Sequence, residues 1–168
     1  GPYADDVYDG GEGNDRVSYY GDFALGVTVD LNISTAQNTG QGNDTLVSIE
    51  HVTATYSNDT LIGNDAANWF WAFQGFDTLS GNGGDDYFTV EAGDKIADGG
   101  TGVDTMEISD FAWTPVYTAD GITVSLALQG AAQAVGTGNW TLTNIENLGG
   151  FWGDDELTGD GNANVLVG

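Results

Sequence analysis

Acidic residues recur along this chain at steps of nine residues, a spacing that could build a row of cation sites. In the middle of the chain the series runs through Glu50, Asp59, Asn68, Asp77 and Asp86. Carboxylate and amide oxygens are the side-chain ligands that Ca²⁺ prefers, and Ca²⁺ collects roughly 6–8 oxygens in all. A regular row of such side chains therefore predicts coordination chemistry.

The series continues towards both termini. Asp94 follows Asp86 after eight residues and Asp104 follows after ten, so the two deviations cancel. The same step of nine leads from Asp6 to Asp15, and from Glu146 through Asp155 to Asn164. Asp and Asn also favour solvated turns without any metal. A preference for turns alone does not require a constant spacing, so cation binding is the stronger interpretation.

The composition of the chain excludes several classes of function. Its 168 residues include 26 acidic and 2 basic side chains, Arg16 and Lys95, which gives a formal charge of −24. Two scattered bases cannot bind nucleic-acid phosphates or an anionic membrane surface. The sequence lacks an apolar run of the ~20 residues that a membrane-spanning helix needs, and it contains no Cys for disulfides or thiolate metal sites. Self-repulsion would oppose folding unless cations bind.

The residues around each acid define the element that positions it. Glycines concentrate five, four and two positions before the acid, most completely in residues 10–18 and 99–107. Two positions after it stands an apolar residue: Tyr8, Val17, Val52, Leu61, Phe70, Leu79, Phe88, Ile96, Met106, Leu148, Leu157 or Leu166. The unit is thus a Gly-rich turn ending in an acid, followed by a strand of three residues. One such strand cannot bury its apolar residue alone, so the units must stack.

A longer repeat overlies the short one. Residues 26–31 correspond to 121–126, and residues 45–50 correspond to 141–146. We predict a single module over residues 1–168, with nonapeptide runs at 1–18, 45–107 and 141–168 and with insertions at 19–44 and 108–140. The insertions alternate apolar and polar residues and predict longer strands. No segment predicts a helix, and we expect the chain to be a fragment of a larger repeat protein.

The pattern Gly-Gly-x-Gly-x-Asp-x-apolar-x resembles the calcium-binding nonapeptide of the repeats-in-toxin (RTX) family. The frames at 10–18 and 99–107 match at every defined position, whereas Asn68 and Asn164 replace the acid. The resemblance implies an all-β fold, a right-handed parallel β-roll or β-solenoid. Two nonapeptides would make one turn of that roll, with Ca²⁺ ions in the turns.

On this resemblance, acids two repeats apart share one edge and pair around calcium. We expect the strongest sites at Asp59 with Asp77, Asp86 with Asp104, and Asp77 with Asp94, and weaker ones at Glu50 with Asn68 and Asn68 with Asp86. Trp140 stands where the first copy has Asp44, so that site has no counterpart. The full set of expected ligands is Asp6, Asp15, Asp44, Glu50, Asp59, Asn68, Asp77, Asp86, Asp94, Asp104, Glu146, Asp155 and Asn164, with backbone carbonyls of Gly11, Gly13, Gly75, Gly84, Gly100 and Gly102.

One sheet is expected to present aromatic side chains to the outside. His51, Trp69, Tyr87 and Thr105 should form one outward column, and Thr53, Trp71, Thr89 and Glu107 its neighbour. Trp69, Trp71 and Tyr87 could form a ligand platform. Alternatively, an inserted segment covers them, or the face serves self-association.

Catalysis is not expected from this chain. His51 is the only histidine, so a triad or zinc site with several histidines cannot form, and no carboxylate pair stands out from the regular series. By the resemblance we expect a calcium-binding module of a protein secreted by, or displayed on, a Gram-negative bacterium. The parent would leave the cell through a type I channel and fold in extracellular Ca²⁺, and this module would act as a spacer between neighbouring repeats.

Two alternatives remain open at this point. The module could be a calcium-dependent adhesin that binds a polysaccharide or a cell-surface partner. It could also be a noncatalytic part of an extracellular enzyme.

Overall fold

A computed structural model of the chain describes residues 4–21, 25–109, 121–136, 138–151 and 153–168. Over these residues the fold is all-β, with one 3₁₀ turn at Leu126–Leu128 and no α-helix, as predicted. The same residues contain no helix long and apolar enough to cross a membrane. The strands are β1 Val7–Asp9, β2 Arg16–Ser18, β3 Thr28–Asp30, β4 Gln37–Asn38, β5 Asn43–Val47, β6 His51–Thr53, β7 Thr60–Ile62, β8 Trp69–Ala72, β9 Asp77–Ser80, β10 Tyr87–Val90, β11 Lys95–Asp98, β12 Thr105–Ile108, β13 Thr123–Ser125, β14 Ala132–Ala134, β15 Asn139–Thr143, β16 Asn147–Gly149, β17 Glu156–Thr158 and β18 Leu166–Val167.

Two large sheets organise the chain. The first has the order β18-β16-β12-β10-β8-β6-β2 and is parallel throughout, and the second has the order β14-β15-β11-β9-β7-β3. From β6 to β12, successive strands alternate between the two sheets. In this range, neighbouring strands within a sheet are therefore eighteen residues apart in sequence. Two small sheets, β1-β5-β4 and β13-β17, complete the described fold. Parallel pairing in this order places equivalent turns directly beside one another.

The core is built from the apolar residue of each repeat. Phe70 of β8 and Phe88 of β10 are fully buried, and their rings stack with centroids 5.7 Å apart. Leu61, Leu79 and Met106 are equally buried. Each short strand thus buries little by itself, and the core exists only because the strands stack.

The predicted inward residue is exposed in two strands, at Leu166 of the edge strand β18 and at Ile96 of β11. Ile96 is 41% exposed, and Ala97 is buried in its place. The register explains the exchange, because Lys95 pairs with Asp77 and Ala97 pairs with Leu79. Strand β11 therefore follows an unbroken nine-residue frame in which Lys95 occupies the position of the acid.

The described residues of the insertions do not contain the longer strands that the alternation predicts. Strands β3 and β13 have three residues each, like most of the others. Instead, β4 and β14 pair antiparallel with β5 and β15, the two longest strands of the described chain. Part of each insertion, residues 22–24, 110–120 and 137, lies outside the described residues. The insertions therefore extend the existing sheets at their edges.

Glycine is required where the turns bend most sharply. The six glycines expected to offer carbonyls all have positive φ, for example 97° at Gly84 and 140° at Gly102. A Cβ at Gly84 would also lie 2.6–2.7 Å from the backbone of Ala66 and Ala67 in the neighbouring turn. Only glycine permits both this conformation and this close stacking.

Candidate metal centre

Most acids of the nine-residue series accept a hydrogen bond from the backbone of the preceding turn. Asp104 Oδ1 accepts a hydrogen bond of 2.8 Å from the backbone N–H of Asp86, and Asp86 Oδ1 accepts one of 2.8 Å from that of Asn68. In the second sheet Asp77 Oδ1 accepts from the Asp59 N–H at 2.9 Å. We call this arrangement the acid ladder. It brings together the predicted pairs Asp59–Asp77, Asn68–Asp86 and Asp86–Asp104.

The acid ladder extends beyond these pairs. Further carboxylates cap a backbone N–H in the same way: Glu50 caps Asp15, Glu146 caps Asp104, Asp44 caps Asp6, Asp59 caps Val27, and Asp155 caps Ile122. We call each carboxylate with the backbone N–H that it caps a rung. In every rung, one carboxylate oxygen thus accepts a hydrogen bond from the main chain. This hydrogen bond by itself favours an acid at a constant position. A metal ion would therefore have to bind the second carboxylate oxygen of the rung.

Some rungs satisfy the second oxygen with protein donors. Asp44 Oδ2 accepts from Thr39 Oγ1 at 2.7 Å and from the Tyr19 hydroxyl at 3.1 Å. Asp59 accepts from the backbone N–H and the hydroxyl of Thr55 at 3.0 and 2.9 Å. These two rungs are complete without an additional cation.

The two asparagine rungs are complete for a different reason. Asn68 Nδ2 donates to the Glu50 carbonyl at 2.9 Å, and Asn164 Nδ2 donates to the Glu146 carbonyl at 2.8 Å. An amide carries a donor where a carboxylate carries a second acceptor. The predicted Glu50–Asn68 pair is therefore in contact through a hydrogen bond, and asparagine makes this rung neutral.

In the rungs of Asp86, Asp104 and Asp155, and also in Asp15, one carboxylate oxygen is buried without a donor. Oδ2 of Asp15, Asp86, Asp104 and Asp155 is inaccessible to solvent and has no hydrogen-bond partner among the described residues. Asp86 is 1% exposed and Asp104 is fully buried, and these two lie on adjacent turns of one edge. A buried, unpaired carboxylate oxygen is costly, which makes this pair the strongest candidate centre.

Burial changes the acidity of the same carboxyl groups. Desolvation raises the pKa of Asp86 to about 7, with the charges of Asp104 and Asp85 acting in the same direction. Desolvation likewise raises the pKa of Asp104, as do the neighbouring charges of Glu146, Asp85 and Asp98. This edge concentrates negative charge that no basic side chain of the described chain neutralises, since Lys95 pairs elsewhere and Arg16 lies over Trp71.

The orphan oxygens lie close to main-chain oxygens of the neighbouring turn. A Cβ at Gly81 would collide with both Asp86 Oδ2 and the Gly99 carbonyl oxygen, and a Cβ at Gly99 would collide with Asp104 Oδ2 and the Asn144 carbonyl oxygen. Carboxylate and carbonyl oxygens therefore converge at these points. Gly81 and Gly99 are absent from the expected ligand positions, although both stand five residues before an acid, where the sequence concentrates glycine.

The predicted pairing of Asp77 with Asp94 is wrong. Lys95 pairs with Asp77 in the register, and Lys95 Nζ lies 2.9 Å from Asp77 Oδ2 with both side chains fully buried. Asp94 is one residue out of the frame, and its Oδ1 accepts from the Asn139 N–H at 2.8 Å. A lysine in the frame, rather than a displaced acid, is the physical reason for the steps of eight and ten.

Asp94 belongs to a second ladder that was not predicted. Its members stand one residue before the frame position and accept from the equivalent N–H of the following turn: Asp5 from Asn43, Asn58 from Phe76, and Asp85 from Val103. The sequence carries a signal for it in the doublets Asp5-Asp6, Asn58-Asp59 and Asp85-Asp86. We call this the outer ladder, and in these four cases it links a turn to the following one in the opposite sense.

The remaining predicted positions fall in the same turns. Gly11 and Gly13 precede Asp15, Gly100 and Gly102 precede Asp104, Gly84 precedes Asp86, and the Gly75 carbonyl accepts from Lys95 Nζ at 2.9 Å. Within the described ranges no three His, Cys, Asp or Glu side chains converge as a metal-binding group. A site here would therefore combine one or two carboxylates with several backbone carbonyls.

The predicted aromatic columns are confirmed by the register of the first large sheet. Trp69 pairs with His51 and Tyr87, and Trp71 pairs with Thr53 and Thr89. The Trp69 and Trp71 rings stack with centroids 4.0 Å apart, and Tyr87 meets Trp69 edge-on at 5.3 Å.

The lone histidine and one of the two bases also lie along this face. His51 Nδ1 accepts from the Trp69 N–H at 3.1 Å, and the Arg16 guanidinium lies 5.0 Å from the centre of the Trp71 ring. Grooves of about 260 and 280 Å³ lie beside Trp71 and Tyr87.

No protein-family model matches the chain, and no curated protein matches it.

Proposed function

We propose that this chain is a calcium-binding module, a right-handed parallel β-roll that folds when Ca²⁺ enters its turns. The observation that carries the proposal is the pair of orphan oxygens, Asp86 Oδ2 and Asp104 Oδ2, buried on adjacent turns. They lie close to the carbonyl oxygens of Gly99 and Asn144, and carboxylate with carbonyl is the ligand mixture that Ca²⁺ takes.

Electrostatics supports a cation at this edge. Asp86, Asp104 and Glu146 follow one another along the acid ladder, and Asp85 and Asp98 contribute further negative charge to Asp104. Burying such charges uncompensated costs several kcal/mol per ion, at roughly the scale of a whole domain's stability. A bound divalent ion removes this cost, so the free energy of binding becomes free energy of folding.

The proposed role is a folding switch and spacer in an exported protein. At low Ca²⁺ a chain with a net charge of −24 repels itself and stays expanded. At extracellular Ca²⁺ the turns of the acid-rich edge close and the sheets stack. This role fits a chain whose core forms only when the short strands stack.

Calcium titration of chelator-treated protein tests the proposal. We expect far-UV circular dichroism to show a cooperative gain of β-structure with Ca²⁺ and not with equal Mg²⁺, which dehydrates reluctantly and demands octahedral geometry. Identical spectra with and without Ca²⁺ would reject the switch.

Asp104→Asn isolates the site. The amide keeps an oxygen for the Asp86 N–H but removes the charge, and we expect calcium affinity to fall roughly 10–100-fold or more, the range known for changes around metal ligands. Asp9→Asn, at an exposed position on β1, is the matched control and should leave calcium affinity unchanged. Equal affinities for both variants would place the ion elsewhere.

A calcium-dependent polysaccharide-binding module is the second candidate, favoured by the stacked Trp69 and Trp71. Trp69 is 38% exposed, and a groove of about 260 Å³ runs beside Trp71 along the same sheet. Flat aromatic surfaces beside a groove suit the apolar faces of sugar rings. The opposite sheet presents Thr60, Thr78 and Ile96 instead.

Tryptophan fluorescence during titration with polysaccharides tests this candidate. We expect a saturable change that Trp69→Ala abolishes and that Ile96→Ala, an exposed change on the other sheet, leaves intact. A glycan array without any saturable ligand would restrict the module to the spacer role.

A further inference from the structure

Lys95 stands at a position of the repeat where the other turns carry an acid or amide, except the turn that carries Trp140. Its frame neighbours in sequence are Asp86 and Asp104, nine residues to either side, and its strand partner eighteen residues earlier is Asp77. The side chain is fully buried, an unusual location for lysine unless its charge is compensated. A chain with only two basic residues has therefore placed one of them inside an acid ladder.

The ammonium group makes three polar contacts of the kind a metal ion makes. Lys95 Nζ lies 2.9 Å from Asp77 Oδ2, donates to the Gly75 carbonyl at 2.9 Å, and donates to the Ala92 carbonyl at 3.3 Å. The ligand set is thus one carboxylate and two backbone carbonyls. Asp77 and Gly75 are also two of the ligands that the sequence pattern assigns to calcium.

The surroundings of Lys95 carry more negative charge than one ion pair requires. Asp59 and Glu91, both buried, contribute favourable charge interactions to the ammonium group in addition to Asp77. In contrast to the edge of Asp86 and Asp104, this edge therefore already contains its cation. The two edges of the same stack differ in what neutralises them.

We propose that the Lys95 ammonium group is a built-in cation that replaces a metal ion at the Asp59–Asp77 edge, so that calcium dependence is confined to the edge of Asp86 and Asp104. The inference rests on the proposed calcium-binding function and adds to it a division between a metal-independent and a metal-dependent edge. It also predicts a latent divalent-cation site, which opens when the ammonium group is removed.

Counting calcium ions in variants of position 95 tests the inference. Lys95→Asp restores the acid of the repeat, and Lys95→Met removes the charge while keeping similar length and volume. We expect each variant to bind one Ca²⁺ more than the wild type by isothermal titration calorimetry and native mass spectrometry. Both should need a higher Ca²⁺ concentration than the wild type before β7, β9 and β11 become protected in hydrogen exchange.

Arg16→Met is the matched control, because it removes the other basic side chain from an exposed position and changes the net charge as Lys95→Met does. It should leave the number of bound Ca²⁺ ions unchanged. An unchanged ion count in Lys95→Asp and Lys95→Met overturns the inference, as does failure of both variants to fold at saturating Ca²⁺. A wild type that binds no Ca²⁺ refutes the proposed function instead, while the difference between variants and wild type still measures the latent site.

Discussion

Protons should substitute for calcium at the edge of Asp86 and Asp104. Burial and neighbouring charges raise the pKa of Asp86 from 3.8 to about 7 in the folded protein. The folded state therefore holds a proton that the unfolded chain releases, and the stability from this group is fully present below pH 3.8 and is lost as pH rises through 7. Raising the pKa of one carboxyl group from 3.8 to about 7 corresponds to about 4 kcal/mol, or roughly a thousandfold in the folding equilibrium.

The assay is far-UV circular dichroism of chelator-treated protein between pH 8 and pH 5. We expect β-structure to increase on acidification, opposite to ordinary acid denaturation, and the raised pKa values of Asp104 and Asp59 act in the same direction. At saturating Ca²⁺ the dependence should disappear, because a bound ion keeps the carboxylates ionised.

Asp86→Asn separates this effect from general charge repulsion. The variant is neutral at position 86 at every pH, so its metal-free form should be more stable at pH 8, less dependent on pH, and less responsive to Ca²⁺. Asp9→Asn removes one exposed charge and should retain the pH dependence of the wild type. Loss of structure in the chelated wild type between pH 8 and pH 5 would refute the reasoning.

Three further substitutions test the packing around the ladders. Asp77→Ala leaves the buried Lys95 ammonium group unpaired and should cost about 3–5 kcal/mol in urea unfolding at saturating Ca²⁺. Phe70→Ala removes a fully buried ring and should cost about 3–5 kcal/mol in the same assay. Gly81→Ala drives a Cβ into Asp86 Oδ2 and should weaken calcium binding, measured by calorimetry.

Each of these variants has a control within the chain. Asp65→Ala removes an exposed acid, Val7→Ala trims a side chain that is 74% exposed, and Gly161→Ala adds a Cβ with no atom within 4 Å. All three should stay within about 0.5 kcal/mol of the wild type, as surface substitutions usually do. A control that costs as much as its partner would show that the loss is not specific to the ladder or the core.

The sequence was informative wherever the nine-residue frame is regular. It predicted an all-β chain, the buried positions of Phe70 and Phe88, and the contact of Asp86 with Asp104, because periodicity determines which residues share an edge. It failed at Lys95, where a step of eight followed by ten looks like a displaced acid. A basic residue at an acidic position becomes visible only when strand register is known.

The nine-residue frame does not predict whether both oxygens of a carboxylate have hydrogen-bond donors. The donors to Asp44 and Asp59 come from Tyr19, Thr39 and Thr55, at separations that follow no repeat. Whether a carboxylate has a free oxygen depends on these irregular neighbours. Periodicity therefore predicts candidate ligands, and tertiary packing selects among them.

The opposite directions of the two ladders determine how many turns unfold together. In the acid ladder, the backbone N–H of one turn donates to a carboxylate of the following turn. In the outer ladder, the backbone N–H of the following turn donates to a side chain of the earlier one. In a quasi-one-dimensional stack, stability divides into what each repeat has by itself and what it shares with its neighbours. Because the two ladders cap neighbouring turns in both directions, more of the stability lies in the contacts between turns. A single turn therefore cannot open without weakening the next. Hydrogen exchange should then report opening in blocks of several turns.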